Sequence, residues 1–223
     1  MLTWVAIALA LGAAVVVVRW AFGRYDSLGR ARAFPVVGVL LLAIPAVAAA
    51  TPGVLRWREE RSLERAASSL VGFPVDVKCQ SFGGAFVDAG AELGWVPYGP
   101  DGVPERHTLI KYEPCGHLRH YLGSDKATPT LDEVVAVHVL THEAMHMSGI
   151  TAEASAECAA MQRDARMAVL LGASPAQGAA LAETYWRTVY PRMPDPYTTA
   201  DCAAGGPLDE HLPDPPWGPS PQK

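Results

Sequence analysis

Two charge-free apolar runs open the chain, Leu2 to Val18 and Ala33 to Ala50, and they limit what the first fifty residues can become. Each approaches the ~20 residues that a helix needs to cross a bilayer, where every backbone polar group must be paired inside the segment. Both are expected to be membrane spans, although the second carries Pro35 and Pro45. Between them lie Arg19, Arg24, Arg30 and Arg32 against Asp26 alone. The bias of Arg and Lys toward the cytoplasm puts this loop inside and everything after residue 50 outside, a multi-pass arrangement in the cell membrane. A secretory signal competes for the first run, but no basic residue precedes Leu2. The small residues Ala46 to Ala50 also offer a cleavage point, which would change the attachment and not the side of the membrane.

Setting aside the four Arg and one Asp of the first fifty residues leaves 14 basic and 22 acidic residues from Thr51 onward, a net charge of -8. That balance argues against a nucleic-acid partner. Residues 51–223 suffice for one domain with its own core. All four cysteines, Cys79, Cys115, Cys158 and Cys202, fall there, on the side of the membrane where disulfides persist. Of the three possible pairings, Cys79 with Cys115 and Cys158 with Cys202 is favoured, because each joins neighbouring segments. No CxxC pair supports a four-cysteine metal site.

Leu55 to Leu70 is rich in Arg and Glu, with apolar residues at helical spacing, and reads as a juxtamembrane helix with a solvated charged face. Short β-prone runs, Val75 to Cys79 and Thr108 to Tyr112, follow around the turn at Tyr98 to Gly102 and predict a small antiparallel sheet. Thr130 and Glu133 form a capping box that opens a helix, apolar almost all round and stopped by Gly149. A helix apolar on every face belongs in a core. Thr151 is expected to cap a second helix running to about Leu171, and Ser174-Pro175-Ala176-Gln177 to start a third. Six prolines between Pro207 and Pro221 predict an extended tail.

The buried helix carries His142-Glu143-Ala144-Met145-His146. Histidines four apart on a helix share a face and can converge on one metal ion, with Glu143 beside them as a general base. Unpartnered imidazoles and a carboxylate in a core would be costly, and a zinc ion supplies a partner. Glu153 and Glu157, again four apart, bracket the expected metal height if the chain reverses near Ile150. One would coordinate while the other fixes a ligand tautomer. Tyr185, Tyr190, Tyr197 and His211 are candidate donors to a developing oxyanion. His138 reads as a packed core histidine, and His117 and His120 as solvated or substrate-edge residues. Trp95 and Trp186 read as core.

In this region the chain resembles the zincin metallopeptidases, and among them the gluzincins, in which HExxH is followed by a helix bearing the third ligand. Glu153-Ala154-Ser155-Ala156-Glu157 is similar to their ExxA(D/E) element, which implies Glu153 as ligand and Glu157 as the acid behind a ligand. The interval between His146 and Glu153 is shorter than gluzincins usually show. Metzincins share His142-Glu143-x-x-His146-x-x-Gly149, but their third ligand would fall at Ala152. The overall layout is also similar to actinobacterial membrane-anchored proteins. These readings give an α+β expectation: residues 1–54 as two transmembrane helices around a cytoplasmic loop, 55–72 as a juxtamembrane helix, 73–206 as a zincin-like extracytoplasmic domain, and 207–223 as a Pro-rich tail. The implied activity is zinc-dependent hydrolysis of a peptide or protein substrate. A disulfide-stapled interaction domain with a structural metal site is the alternative.

Overall fold

A computed structural model of the chain describes residues 2–26, 28–86, 90 and 92–217; the last residues of the proline-rich tail lie outside these. The chain divides into two compact units between Arg58 and Glu59.

In the first unit, α1 (Leu2–Phe22) and the start of α2 (Val36–Val71) are both long and apolar enough to cross a membrane. They come into contact at Gly12, where an added Cβ would sit in ordinary contact, 3.5 Å from Leu42 Cδ1. The Trp20 indole donates to the Arg32 carbonyl at 3.1 Å and meets the Phe34 ring edge-on, which ties the connecting loop back to α1. The second apolar run and the charged stretch after it form one continuous helix, which passes through Pro45 and Pro52.

The second unit is mixed α+β, mostly helical, around one core. Leu63, Ala66 and Ala67 of α2 are buried in it. The charged face of this stretch is not simply solvated: Glu59, Glu60 and Glu64 are all buried. The Glu60 carboxylate accepts from the Cys79 amide at 3.1 Å, and Glu64 pairs with Lys78 at 2.8 Å. Buried carboxylates need such partners, so the acids point toward the neighbouring strand.

That strand is β1 (Asp76–Cys79), followed by a short α3 (Phe82–Ala85), β2 (Gly94–Trp95) and β3 (His107–Ile110). The sheet has the order β1-β3-β2, with β1 parallel to β3 and β2 antiparallel to it. The expected antiparallel sheet is thus mixed. The long connection through β2 returns the chain in the same direction as β1, the crossover that a parallel pair requires. Both ladder faces alternate, with Val77 and Cys79 buried on β1 and Thr108 and Ile110 buried on β3.

Helix α4 (Tyr112–Gly123) follows, and then α5 (Leu131–Met147). The Thr130–Glu133 capping box forms in both directions, and Gly149 takes a φ of 107°, a left-handed stop that suits glycine. From Glu133 to Met147 every residue except Val135 is buried. The predicted second helix is in fact two, α6 (Glu153–Met161) and α7 (Asp164–Leu170), and its start is Ala152 without a side-chain cap rather than Thr151. At the break the Gln162 amide donates to the Cys158 and Leu208 carbonyls at 3.0 and 2.9 Å. These contacts to the C-terminal segment favour a turn over a straight continuation. Helix α8 (Pro175–Thr184) begins with the expected Ser174–Gln177 box and runs into a π turn at Tyr185–Val189. Disulfides join Cys79 to Cys115, from β1 to α4, and Cys158 to Cys202, from α6 to the C-terminal segment.

Candidate metal centre

The periodicity of α5 places His138, His142 and His146 on one face, one turn apart, and α6 returns beside it with Glu153 and Glu157 also one turn apart. The later acid meets the earlier histidines. Glu153 Oε2 lies 3.1 Å from His142 Nε2 and 3.3 Å from His146 Nε2, and the two Nε2 atoms are 2.9 Å apart. Glu157 Oε2 instead faces His142 Nδ1 at 3.0 Å and His138 Nε2 at 2.9 Å. The two carboxylates thus take different places, one before the histidine pair and one behind it.

The partners fix the tautomers. His146 Nδ1 is 2.7 Å from the Ile150 carbonyl, which can only accept, so this nitrogen carries hydrogen. His142 Nδ1 faces the Glu157 carboxylate and donates likewise. Both Nε2 lone pairs then point at each other and at a Glu153 oxygen. With both rings neutral, three acceptors at such separations repel unless a metal ion or an added proton sits among them. Ligands about 2.0–2.2 Å from a tetrahedral zinc lie roughly 3.3–3.6 Å from one another, so this triangle of 2.9, 3.1 and 3.3 Å needs to open by only a few tenths of an ångström. The donor set of two imidazoles and one carboxylate fits a zinc ion.

Electrostatics follow the same division. Burial opposes charge on His142, but hydrogen bonds to Glu153 and Glu157 outweigh it and push the ring up to about 9. Burial and the neighbouring His142 charge hold His146 below its ordinary value. Glu153 is lowered, first by its bond with His142. Burial also opposes charge on Glu157, yet His138 and His142 hold its carboxyl far below the usual range. Glu143 behaves differently: burial pushes it up to about 7.

Glu143 lines a cavity of about 550 Å³ together with His142, His146 and Glu153. Leu93, Trp95, Val139 and Met193 supply apolar wall. Thr108 Oγ1 donates to the Trp95 carbonyl at 2.9 Å and lies 3.5 Å from Glu143 Oε2, so the carboxylate has no short hydrogen bond to this hydroxyl. A carboxylate that is buried, weakly bonded and raised toward neutrality can exchange a proton.

Compared with known protein families, curated proteins and solved structures, the chain finds no match.

Among the expected oxyanion donors, Tyr197 lines the cavity, with its ring 5.8 Å from that of His142. Tyr185 also borders the cavity, but its hydroxyl is committed to Glu157 Oε1 at 2.7 Å. Tyr190 bonds the Thr199 backbone, and His211 is exposed beside Asp209. His117 and His120 fall on α4, where His120 pairs with Glu133 of the capping box. Trp186 is half-buried and packs against the core between Tyr190 and Trp217, whereas Trp95 is 44% exposed on β2. Four neighbours of the site were not legible beforehand: Gly94, Tyr98, Thr108 and Asp164. The first three come from strand and turn segments remote in sequence, and Asp164 reaches the site only because the helix breaks after Met161.

Proposed function

We propose that this protein is a membrane-anchored, extracytoplasmic zinc-dependent peptidase or related amide hydrolase of zincin type. The observation that carries the reading is the convergence of His142, His146 and Glu153 on one point at the wall of a cavity that also holds the buried Glu143. An open cavity beside the base favours a catalytic role over a closed structural site. The two apolar helices and the arginine-rich loop between them support anchoring with the second unit outside.

His142, His146 and Glu153 would hold the zinc, which when bound activates water and polarises a substrate carbonyl. Glu143 accepts the proton of the attacking water and passes it to the leaving amine, work suited to a carboxyl raised to about 7. Glu157 keeps hydrogen on His142 Nδ1, so that Nε2 presents a lone pair. The Tyr197 hydroxyl, on the cavity wall, would serve as a donor to the developing oxyanion. Leu93 and Val139 exclude water from a bound peptide.

Zinc measured on the detergent-solubilised full-length protein tests the reading. One equivalent is expected in the unaltered protein, with loss in His146→Ala and Glu153→Ala. Glu143→Gln should keep its zinc while hydrolysis of a quenched fluorescent peptide pool falls roughly 10²- to 10⁴-fold. Stoichiometric zinc in His146→Ala refutes the ligand set, and unchanged hydrolysis in Glu143→Gln refutes the base.

A further inference from the structure

Behind the proposed metal ligands runs a second set of buried groups that the hydrolytic reading does not use. His138 is 2% exposed and its two ring nitrogens both face carboxylates: Nδ1 is 2.8 Å from Asp164 Oδ2, and Nε2 is 2.9 Å from Glu157 Oε2. Its ring stacks on Tyr185, with centroids 3.6 Å apart and planes 14° from parallel. Asp164 is fully buried, and its Oδ1 has no partner among the described residues.

Such a group is poor value as a packing element. A buried carboxylate with one unsatisfied oxygen costs stability, and replacing ion pairs of this kind with apolar residues of similar size is often neutral or favourable. The arrangement needs a reason beyond the core, and its geometry supplies one. Glu157 is the acid that holds His142 in the tautomer that leaves Nε2 free, and Oε2 of Glu157 receives His138 and His142 together.

We propose that His138, oriented by Asp164, is a positioning residue that holds the Glu157 carboxylate against His142 Nδ1 and thereby sets the zinc affinity of the cluster. This inference rests on the zinc reading of His142, His146 and Glu153, but not on catalysis. With its two donors directed at carboxylates, His138 cannot accept a hydrogen bond and serves Glu157 only as a donor. Without that donor, Glu157 keeps Tyr185 on Oε1 and loses half of what anchors Oε2. A carboxylate with this anchor gone is free to rotate away from His142 Nδ1, which then loses the acceptor that keeps hydrogen on it. His142 would then carry its hydrogen on Nε2, where the ligand lone pair is required. The chain of groups Asp164, His138, Glu157 and His142 alternates acceptor and donor up to the ligand atom, and each link lies between 2.8 and 3.0 Å.

The test is zinc affinity of the full-length protein in detergent, measured by competition with a chromophoric chelator, alongside thermal unfolding of the metal-free form. His138→Phe keeps the ring stacked on Tyr185 and removes both donors. It should weaken zinc about 10- to 100-fold, the usual effect of losing a partner behind a ligand histidine. His138→Gln, whose amide nitrogen reaches the position of Nε2, should recover most of that loss even if it unfolds at a lower temperature. Asp164→Asn should fall between the two. A His138→Phe protein that binds zinc like the unaltered one overturns the proposal. So does a His138→Gln protein as weak as His138→Phe, since packing rather than the donor would then be at work. An unaltered protein that fails to bind zinc removes this inference and the metal reading together. Zinc binding that depends on His138 without any hydrolysis leaves the inference standing and removes only the catalytic reading.

Discussion

Gly94→Ala isolates the placement of Glu143 from every other feature of the site. Gly94 lies on β2, opposite Ile110 of β3, and its φ is not in the left-handed region, so the backbone accepts alanine. The added Cβ would stand 2.9 Å from Glu143 Oε1 and 3.1 Å from its Cδ and Cγ, whereas ordinary contact begins near 3.4 Å. The carboxylate must therefore retreat by about half an ångström, because the strand is held in its ladder. The stability terms oppose each other: overpacking costs about 1–3 kcal/mol, while alanine in place of glycine in a strand returns roughly 0.5–1 kcal/mol. Misplacing a reacting group by about 1 Å costs on the order of 10²-fold in rate, so a shift half as large should lower kcat roughly tenfold. The ligands are untouched, and zinc content should stay at one equivalent. The assay is steady-state hydrolysis of the fluorescent peptide pool, with zinc and thermal unfolding measured on the same preparation. An undiminished kcat in a folded, zinc-loaded Gly94→Ala protein refutes the argument that Glu143 is the base and that β2 sets its position. Loss of zinc refutes it differently, by showing that the strand acts on the ligands.

The disulfides close loops with sequence separations of 36 and 44 residues, and the chain-entropy treatment assigns each about 4 kcal/mol. Replacing Cys158 and Cys202 together by alanine should lower the denaturant midpoint accordingly, and an unchanged midpoint would show that the C-terminal segment is held by packing alone. Glu133 supplies a pH dependence away from the proposed metal centre. Burial would raise its carboxyl, but hydrogen bonds from His120 and Thr130 outweigh it and hold Glu133 below its ordinary 4.5. A folded value below the unfolded one means that the stabilisation is complete above about pH 4.5 and is lost as pH falls through the folded value. The gap in unfolding temperature between the unaltered protein and Glu133→Gln, on the order of 1 kcal/mol in stability at pH 6, should close in more acidic solution. A gap that persists at low pH would contradict this origin.

Local signals carried a large part of the structure. The Thr130–Glu133 and Ser174–Gln177 boxes, the Gly149 stop and the apolar run of α5 all act within a few residues, so their spacing alone specifies them. The i, i+4 placement of His142 with His146, and of Glu153 with Glu157, follows from helical pitch in the same way. Even the disulfide pairing was accessible, because both bridges join neighbouring segments.

What tertiary structure decided is the company each group keeps. The pairing of β2 with β3, packed on α5, brings Gly94 and Thr108 against Glu143. A helix that breaks after Met161 delivers Asp164 to His138, a pairing across 26 residues that no periodicity encodes. The acids of α2 turn inward because β1 offers them an amide and a lysine. Spacing along the chain sets which residues share a face, since that depends only on local backbone geometry. Which faces meet depends on burying apolar surface while leaving few polar atoms unpaired, a condition satisfied over the whole unit at once.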